Sequence, residues 1–330
     1  MKTAPITARS RIRASEFQPS QYARGQKHSL ILDLRPHAAD IELPVLLIQG
    51  ATEGKRLVVT AGVHGDEFEG VRAVLEVCAE LDPKKMTGTL LAVQVANPPA
   101  FWKGTRLSPL DQGNLARAFP GHEQGSPTQV IAFHLGQSIL SHADFYLDLH
   151  SAGMKLSMPT MAGYDINDGR SRAAARAFGA PVIWGHPTIS PGRTISFAAS
   201  RGIPWLYTEA RGAGRIDRED LRIFKRGVVN LLRHLNILPG AVEKTEPSHS
   251  LYGDGDLDAC LAATWPGFLI PAAELLQEVE QGQELGRTLD AYGQVVEIFS
   301  SPRDGVLGMI RGFPLVDAKD PVFLVTGSAK

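Results

Sequence analysis

The chain has 330 residues, enough to bury a large core and to hold one large domain with a smaller one beside it. Its 34 Lys and Arg nearly balance 35 Asp and Glu, and a net charge of −1 removes any electrostatic case for nucleic acid or an anionic membrane as partner. Cys78 and Cys260 are too few and too far apart for a disulfide framework, and no apolar run approaches the ~18 residues of a membrane helix.

Arg9, Arg11 and Arg13 precede the first acid, Glu16, without the apolar stretch of a secretory signal. Residues 1–25 are therefore read as a flexible arm on a cytoplasmic protein, with an organelle transit peptide as the alternative. Leu30 to Leu34 and Leu43 to Ile48 read as strands punctuated by Pro36 and Gly50. The apolar run Leu57 to Ala61 leads into Gly62-Val63-His64-Gly65-Asp66-Glu67. Phe68, Val71, Val74, Leu75 and Cys78 then recur at helical spacing, so a helix runs to about Leu81 before Asp82-Pro83. Thr89 to Ala96 is a strand ending in Asn97-Pro98-Pro99, and a loop-rich stretch extends to Pro127. A helix near 128–142 precedes the strand Phe145 to Leu149, which delivers His150. Beyond it come a helix over Arg170 to Phe178, strands at Pro181 to Trp184 and Ile203 to Thr208, and a helix N-capped by Asp217 that reaches about Leu235.

Alternating strands and helices predict an α/β sandwich with a mostly parallel or mixed sheet, whose ligands gather beyond the carboxyl ends of the strands. His64, Asn97, His150 and Glu209 all fall at such ends. Residues 239–256 lack periodicity and read as a linker. The turns that follow, at 282–283, 290–293, 302–305 and 317–321, mark a small all-β module of barrel-sandwich type. The expected organisation is an arm at 1–25, a main domain at 26–240, and a linker with the β module at 241–330.

Two strands that each deliver a histidine to one sheet edge, with a glutamate three residues after the first, form a His64/Glu67/His150 set. Such a set holds zinc and leaves a fourth position for water, the catalytic rather than the structural pattern. Asp66 or Asp148 would fix a ligand imidazole from behind. Glu209, after an apolar strand, is the candidate general base.

Gly62 to Glu67, Asn97-Pro98-Pro99, Asn114 to Gly121, Asp148-Leu149-His150-Ser151 and Thr208 to Gly212 occur in that order over residues 45 to 240. On these motifs the chain resembles the succinylglutamate desuccinylase/aspartoacylase family, a branch of the zinc carboxypeptidase-like hydrolases. The resemblance implies a zinc carboxypeptidase-like α/β sandwich and one Zn²⁺ per chain. It gives Glu209 the proton transfer from water to the leaving nitrogen. Arg106 would hold the oxyanion, and Arg117, with Asn114 and Asn97, would bind substrate. The family usually reads Asn-Leu-Asn-Arg where this chain has Asn114-Leu115-Ala116-Arg117, so a hydrogen bond to the substrate carboxylate is missing unless Asn114 or Asp111 compensates.

The β module is similar to biotinyl- and lipoyl-type folds, but neither Lys319 nor Lys330 stands in a carrier setting, so no swinging arm is expected. The reading is a zinc-dependent deacylase of a small N-acylated amino acid or amine, forming a homo-oligomer. A carboxypeptidase-type peptide hydrolase and an inactive binding protein are the alternatives.

Overall fold

A computed structural model describes residues 9–34, 41–253, 255 and 259–328. The first half contains strands β1 (Ser10–Arg13), β2 (Gln26–Asp33), β3 (Glu42–Gln49) and β4 (Thr52–Ala61), helix α1 (Glu69–Glu80), strand β5 (Thr87–Val93) and helices α2 (Pro98–Lys103) and α3 (Pro127–His134). Next come β6 (Phe145–Leu149), β7 (Leu156–Ser157), β8 (Met161–Asp165), α4 (Gly169–Phe178), β9 (Val182–His186), α5 (Thr194–Ser200), β10 (Trp205–Glu209) and α6 (Arg218–His234). Strands β11 (His249–Tyr252), β12 (Leu261–Ala262), β13 (Gly267–Pro271), β14 (Glu278–Val279), β15 (Glu284–Leu289), β16 (Val295–Ser300), β17 (Gly305–Arg311), β18 (Leu315–Val316) and β19 (Pro321–Ser328) complete the chain.

The main sheet is mixed, with the order β1-β2-β3-β5-β4-β6-β10-β8-β9-β11, and it continues into β19, β17 and β14. Its centre is four adjacent parallel strands, β5, β4, β6 and β10. Their shared direction brings the segments after Ala61, Val93 and Leu149, and the end of β10 at Glu209, to one edge. One face is covered by α1, α4 and α6, whose apolar stripes (Val74, Val77, Phe178, Phe224, Leu231) bury against Leu57, Val59 and Leu147. The other face packs α3 and α5 against Val58, Tyr146 and Trp205. Fully burying each such side chain stabilises the fold by roughly 1.5–3 kcal/mol.

Residues 10–25 are not a free arm. β1 pairs in parallel with β2, and Ala14 and Phe17 are buried in the second core. Residues 1–8 lie outside the described residues. Within the expected linker, β11 pairs in parallel with β9 and antiparallel with β19, and in the main domain β7 pairs with β17. These ladders stitch the main sheet to the C-terminal module. There, sheet β16-β15-β13-β18 packs over β17 and β19 through Leu269, Leu285, Phe299, Leu307 and Phe323. Lys319 lies in the turn before β19, and Lys330 is outside the described residues. No described helix is long and apolar enough to cross a membrane.

α6 begins where the sequence places it. The Asp217 carboxylate accepts from the backbone N–H groups of Glu219 (2.8 Å) and Asp220 (3.2 Å), two of the donors a helix start leaves unpaired. Asp217→Ala should lower the stability of the protein by about 1 kcal/mol, read as a shifted denaturation midpoint.

Candidate active site

The turn after β4 is tightened by Gly62 in the left-handed region (φ 63°), which swings His64 over the sheet edge. Glu67 follows before α1 begins, and β6 brings His150 alongside. His64, Glu67 and His150 are all buried, and one donor atom from each lies within 4.8 Å of the others.

Both oxygens of Glu67 are shared. Oε1 lies 2.7 Å from His64 Nδ1 and accepts from Arg106 Nη1 at 3.1 Å. Oε2 lies 2.9 Å from His150 Nδ1 and accepts from the Ser151 N–H at 3.1 Å. The outer ring nitrogens are held from behind. His150 Nε2 is 3.0 Å from Asp148 Oδ2, and His64 Nε2 is 3.1 Å from Asn114 Oδ1. Carboxylate and amide oxygens accept, so both nitrogens of each ring face acceptors; Asp148 and Asn114 orient the imidazoles from behind, and each Nδ1 is turned inward toward Glu67. Asp148 is itself fixed by Thr60 Oγ1 (2.6 Å) and Thr194 Oγ1. Asp148 therefore fills the supporting role; Asp66 instead accepts from the Met154 N–H at 3.1 Å.

Burial pushes the Glu67 carboxyl upward, but His64 and His150 outweigh it and hold the group ionised, below the usual carboxylate range. Burial pulls His150 down, yet Asp148 and Glu67 together raise it well above its ordinary value. His64 is lowered, by burial first and then by Arg106. Glu209 moves the other way: burial, reinforced by the charge of Glu67, pushes it up to about 8. Its Oε2 is enclosed and has no hydrogen-bond partner among the described residues.

A cleft opens over this cluster. Arg106, Arg117 and Glu209 line it together with His64 and His150. Ala116 also lines it, next to Arg117, whose Nη1 donates to the Ala116 carbonyl at 3.3 Å. Neither expected compensator for the missing asparagine serves the cleft. Asp111 accepts from Thr128 Oγ1 (2.7 Å) and the Thr128 N–H (2.8 Å), and Asn114 Oδ1 is committed to His64 and to the Ala116 N–H at 3.0 Å. Asn97 does not reach the cleft either. It is fully buried, donates to the Val63 carbonyl at 3.2 Å and caps α2, where Pro98 occupies the first helical position. The structure adds Thr194, Arg193, His186 and Tyr207 to the lining. Of these, Tyr207 carried a sequence signal, because it lies two residues before Glu209 on a strand and so shares its face.

Residues 53–235 match the succinylglutamate desuccinylase/aspartoacylase catalytic domain. The chain is 32% identical over 282 residues to the N-alpha-acetyl-L-2,4-diaminobutyric acid deacetylase of Halomonas elongata, covering 83% of this chain and 82% of that protein. Among solved structures, the product-bound ectoine utilization protein EutE (DoeB) of Ruegeria pomeroyi superposes with a TM-score of 0.83 at 28% identity, over 93% of this chain and 97% of that one. A succinylglutamate desuccinylase from Silicibacter sp. TM1040 gives a TM-score of 0.82 at 29% identity, over 92% and 95% of the two chains. The motif order, the mixed sheet and these likenesses agree: the chain belongs to the succinylglutamate desuccinylase/aspartoacylase family.

Proposed function

We propose that the protein is a zinc-dependent deacylase that hydrolyses the amide of a small N-acylated amino acid, releasing a carboxylate and a free amine. The observation that carries this reading is the pairing of two features in one cleft. One is a buried His/Glu/His donor set with both Nδ1 atoms turned inward; the other is the carboxyl group of Glu209, whose enclosed Oε2 has no hydrogen-bond partner among the described residues. Two imidazoles and one ionised carboxylate suit zinc with an open position, because zinc takes neutral imidazole nitrogens and a deprotonated carboxylate as ligands. His64, Glu67 and His150 would hold the ion, which supplies Lewis acidity to water and to a substrate carbonyl.

The chain's own residues divide the remaining work. Glu209 Oε2 takes a proton from the attacking water as oxygen adds to the acyl carbon, then delivers it to the leaving nitrogen as the C–N bond breaks. Arg106, anchored on Glu67, aims positive charge at the carbonyl oxygen, where charge develops in the transition state. Arg117 holds the substrate carboxylate. Asp148 and Asn114 hold the two imidazoles in the required orientation.

The amine is proposed to be a diamino acid. The support for this is that the Halomonas elongata relative is named for an N-acetylated diaminobutyric acid. A panel of N-acyl compounds tests this reading, with N-acetyl-2,4-diaminobutyrate preferred over N-acetyl-aspartate and N-succinyl-glutamate. Activity on none of them would overturn it.

Glu209→Gln is isosteric but cannot accept a proton at neutral pH. It should bind substrate and lose at least a hundredfold in kcat, in line with roughly 10²–10⁴ for general acid–base catalysis. A near wild-type kcat would remove Glu209 as the base. Ala116→Asn should lower the KM for N-acyl α-amino acids more than it changes kcat, by about ten- to a hundredfold for one hydrogen bond to a charged group.

A further inference from the structure

Behind the ligand cluster lies a group of buried hydroxyls that the hydrolysis does not touch. β4 and β6 run parallel, in a register that sets Val58 beside Tyr146 and Thr60 beside Asp148. Tyr146 and Asp148 are two residues apart on one strand, so both side chains rise from the same face of the sheet. Tyr146 and Thr60 are 0% exposed and Asp148 is 1% exposed. Asp148 lines the cleft, whereas Tyr146 and Thr60 are not among its lining residues.

The Asp148 carboxylate only accepts, so the single hydrogen of the Thr60 hydroxyl goes to Asp148 Oδ1 at 2.6 Å. The Tyr146 hydroxyl lies 2.5 Å from Thr60 Oγ1, and it is then the donor to that oxygen. Thr194 and Asp148 are also within reach of the phenol, so its hydrogen runs toward the carboxylate in any case. The second carboxylate oxygen, Oδ2, receives the Thr194 hydroxyl and faces His150 Nε2 at 3.0 Å.

The last torsion of an aspartate side chain has only a broad preference, so its carboxylate needs outside contacts to hold one orientation. Pinning Oδ1 from one side removes that freedom and leaves Oδ2 aimed at His150. Thr60 suits the task because its branched Cβ restricts χ1 and gives the hydroxyl one reach. The Tyr146 hydrogen occupies a lone pair of Thr60 Oγ1 and orients the Thr60 hydroxyl toward Asp148.

We propose that Thr60 and Tyr146 are positioning residues for the metal site: together they lock Asp148, which in turn holds the His150 ring with Nδ1 toward the ion. The inference rests on the zinc reading of His64, Glu67 and His150. Neither hydroxyl lines the cleft, so both act through metal affinity rather than through contact with substrate.

The test measures zinc affinity by competition with a chromophoric chelator, in the full chain stripped of metal, with folding followed by circular dichroism. Thr60→Val keeps the shape of the side chain and removes its hydrogen bond. It should weaken zinc binding about ten- to a hundredfold, the usual cost of losing a partner behind a metal ligand. Thr60→Ser should restore the affinity to near the wild-type value. Tyr146→Phe should cost about fivefold, the effect of one ordinary hydrogen bond. Val58→Ala loosens the same core beside Tyr146 without removing either hydroxyl, and its zinc affinity should match the wild type. Unchanged affinity in Thr60→Val, no recovery in Thr60→Ser, or an equal loss in Val58→Ala overturns the positioning role and leaves the zinc site standing. Should Thr60→Val not fold, Tyr146→Phe decides alone: weaker zinc binding in the folded variant supports the role, and wild-type affinity overturns it. A wild type that binds no zinc overturns the zinc reading and the positioning role with it.

Discussion

The site is organised around one buried anion. Glu67 is 3% exposed, and a carboxylate withdrawn from water to that degree costs several kcal/mol unless its oxygens are satisfied. Here each oxygen receives two partners: His64 and Arg106 on one, His150 and the Ser151 N–H on the other. Those partners come from three separate segments, which ties the turn after β4, the loop carrying Arg106 and the end of β6 to a single point. The same constraint orients the chemistry. Because the inner ring nitrogens face Glu67, the outer ones must find acceptors, and Asp148 and Asn114 stand there.

Much of this was legible in the sequence, because the donors sit where short apolar runs stop. His64, His150 and Glu209 each follow or end an apolar strand, and parallel neighbours must deliver them to one edge. The choice between Asp66 and Asp148 was not legible. Strand alternation made Asp148 able to reach His150, but only the fold turns Asp66 away toward Met154. Asn97 caps a helix instead of lining the cleft: Asn before Pro-Pro is also a helix start, and that local preference prevails. Asn114 likewise combined two local demands, a turn bond to the Ala116 N–H and support for His64, that sequence spacing does not separate.

The sequence also understated how far the C-terminal module is joined to the rest. β11 and β19 are short or distant in the chain, and their pairing is non-local, so no window of periodicity reveals it. A free arm at the N-terminus failed for a similar reason. Ile12, Ala14 and Phe17 carry the signal, as apolar residues with a core to reach. These long-range ladders matter for function because the segment after β11 places the Gly253 carbonyl against His186 and Trp184. The far wall of the cleft therefore depends on a module that contributes no residue to the ligand cluster.

The central claim is that His64, Glu67 and His150 hold a catalytic zinc ion. X-ray absorption at the zinc edge on the purified, active protein tests it most directly. The account predicts one zinc per chain, with two imidazole nitrogens and a carboxylate oxygen at about 2.0–2.2 Å, and loss of that signal in His150→Ala. Zinc held by other ligands, or full activity in protein free of metal, would contradict it.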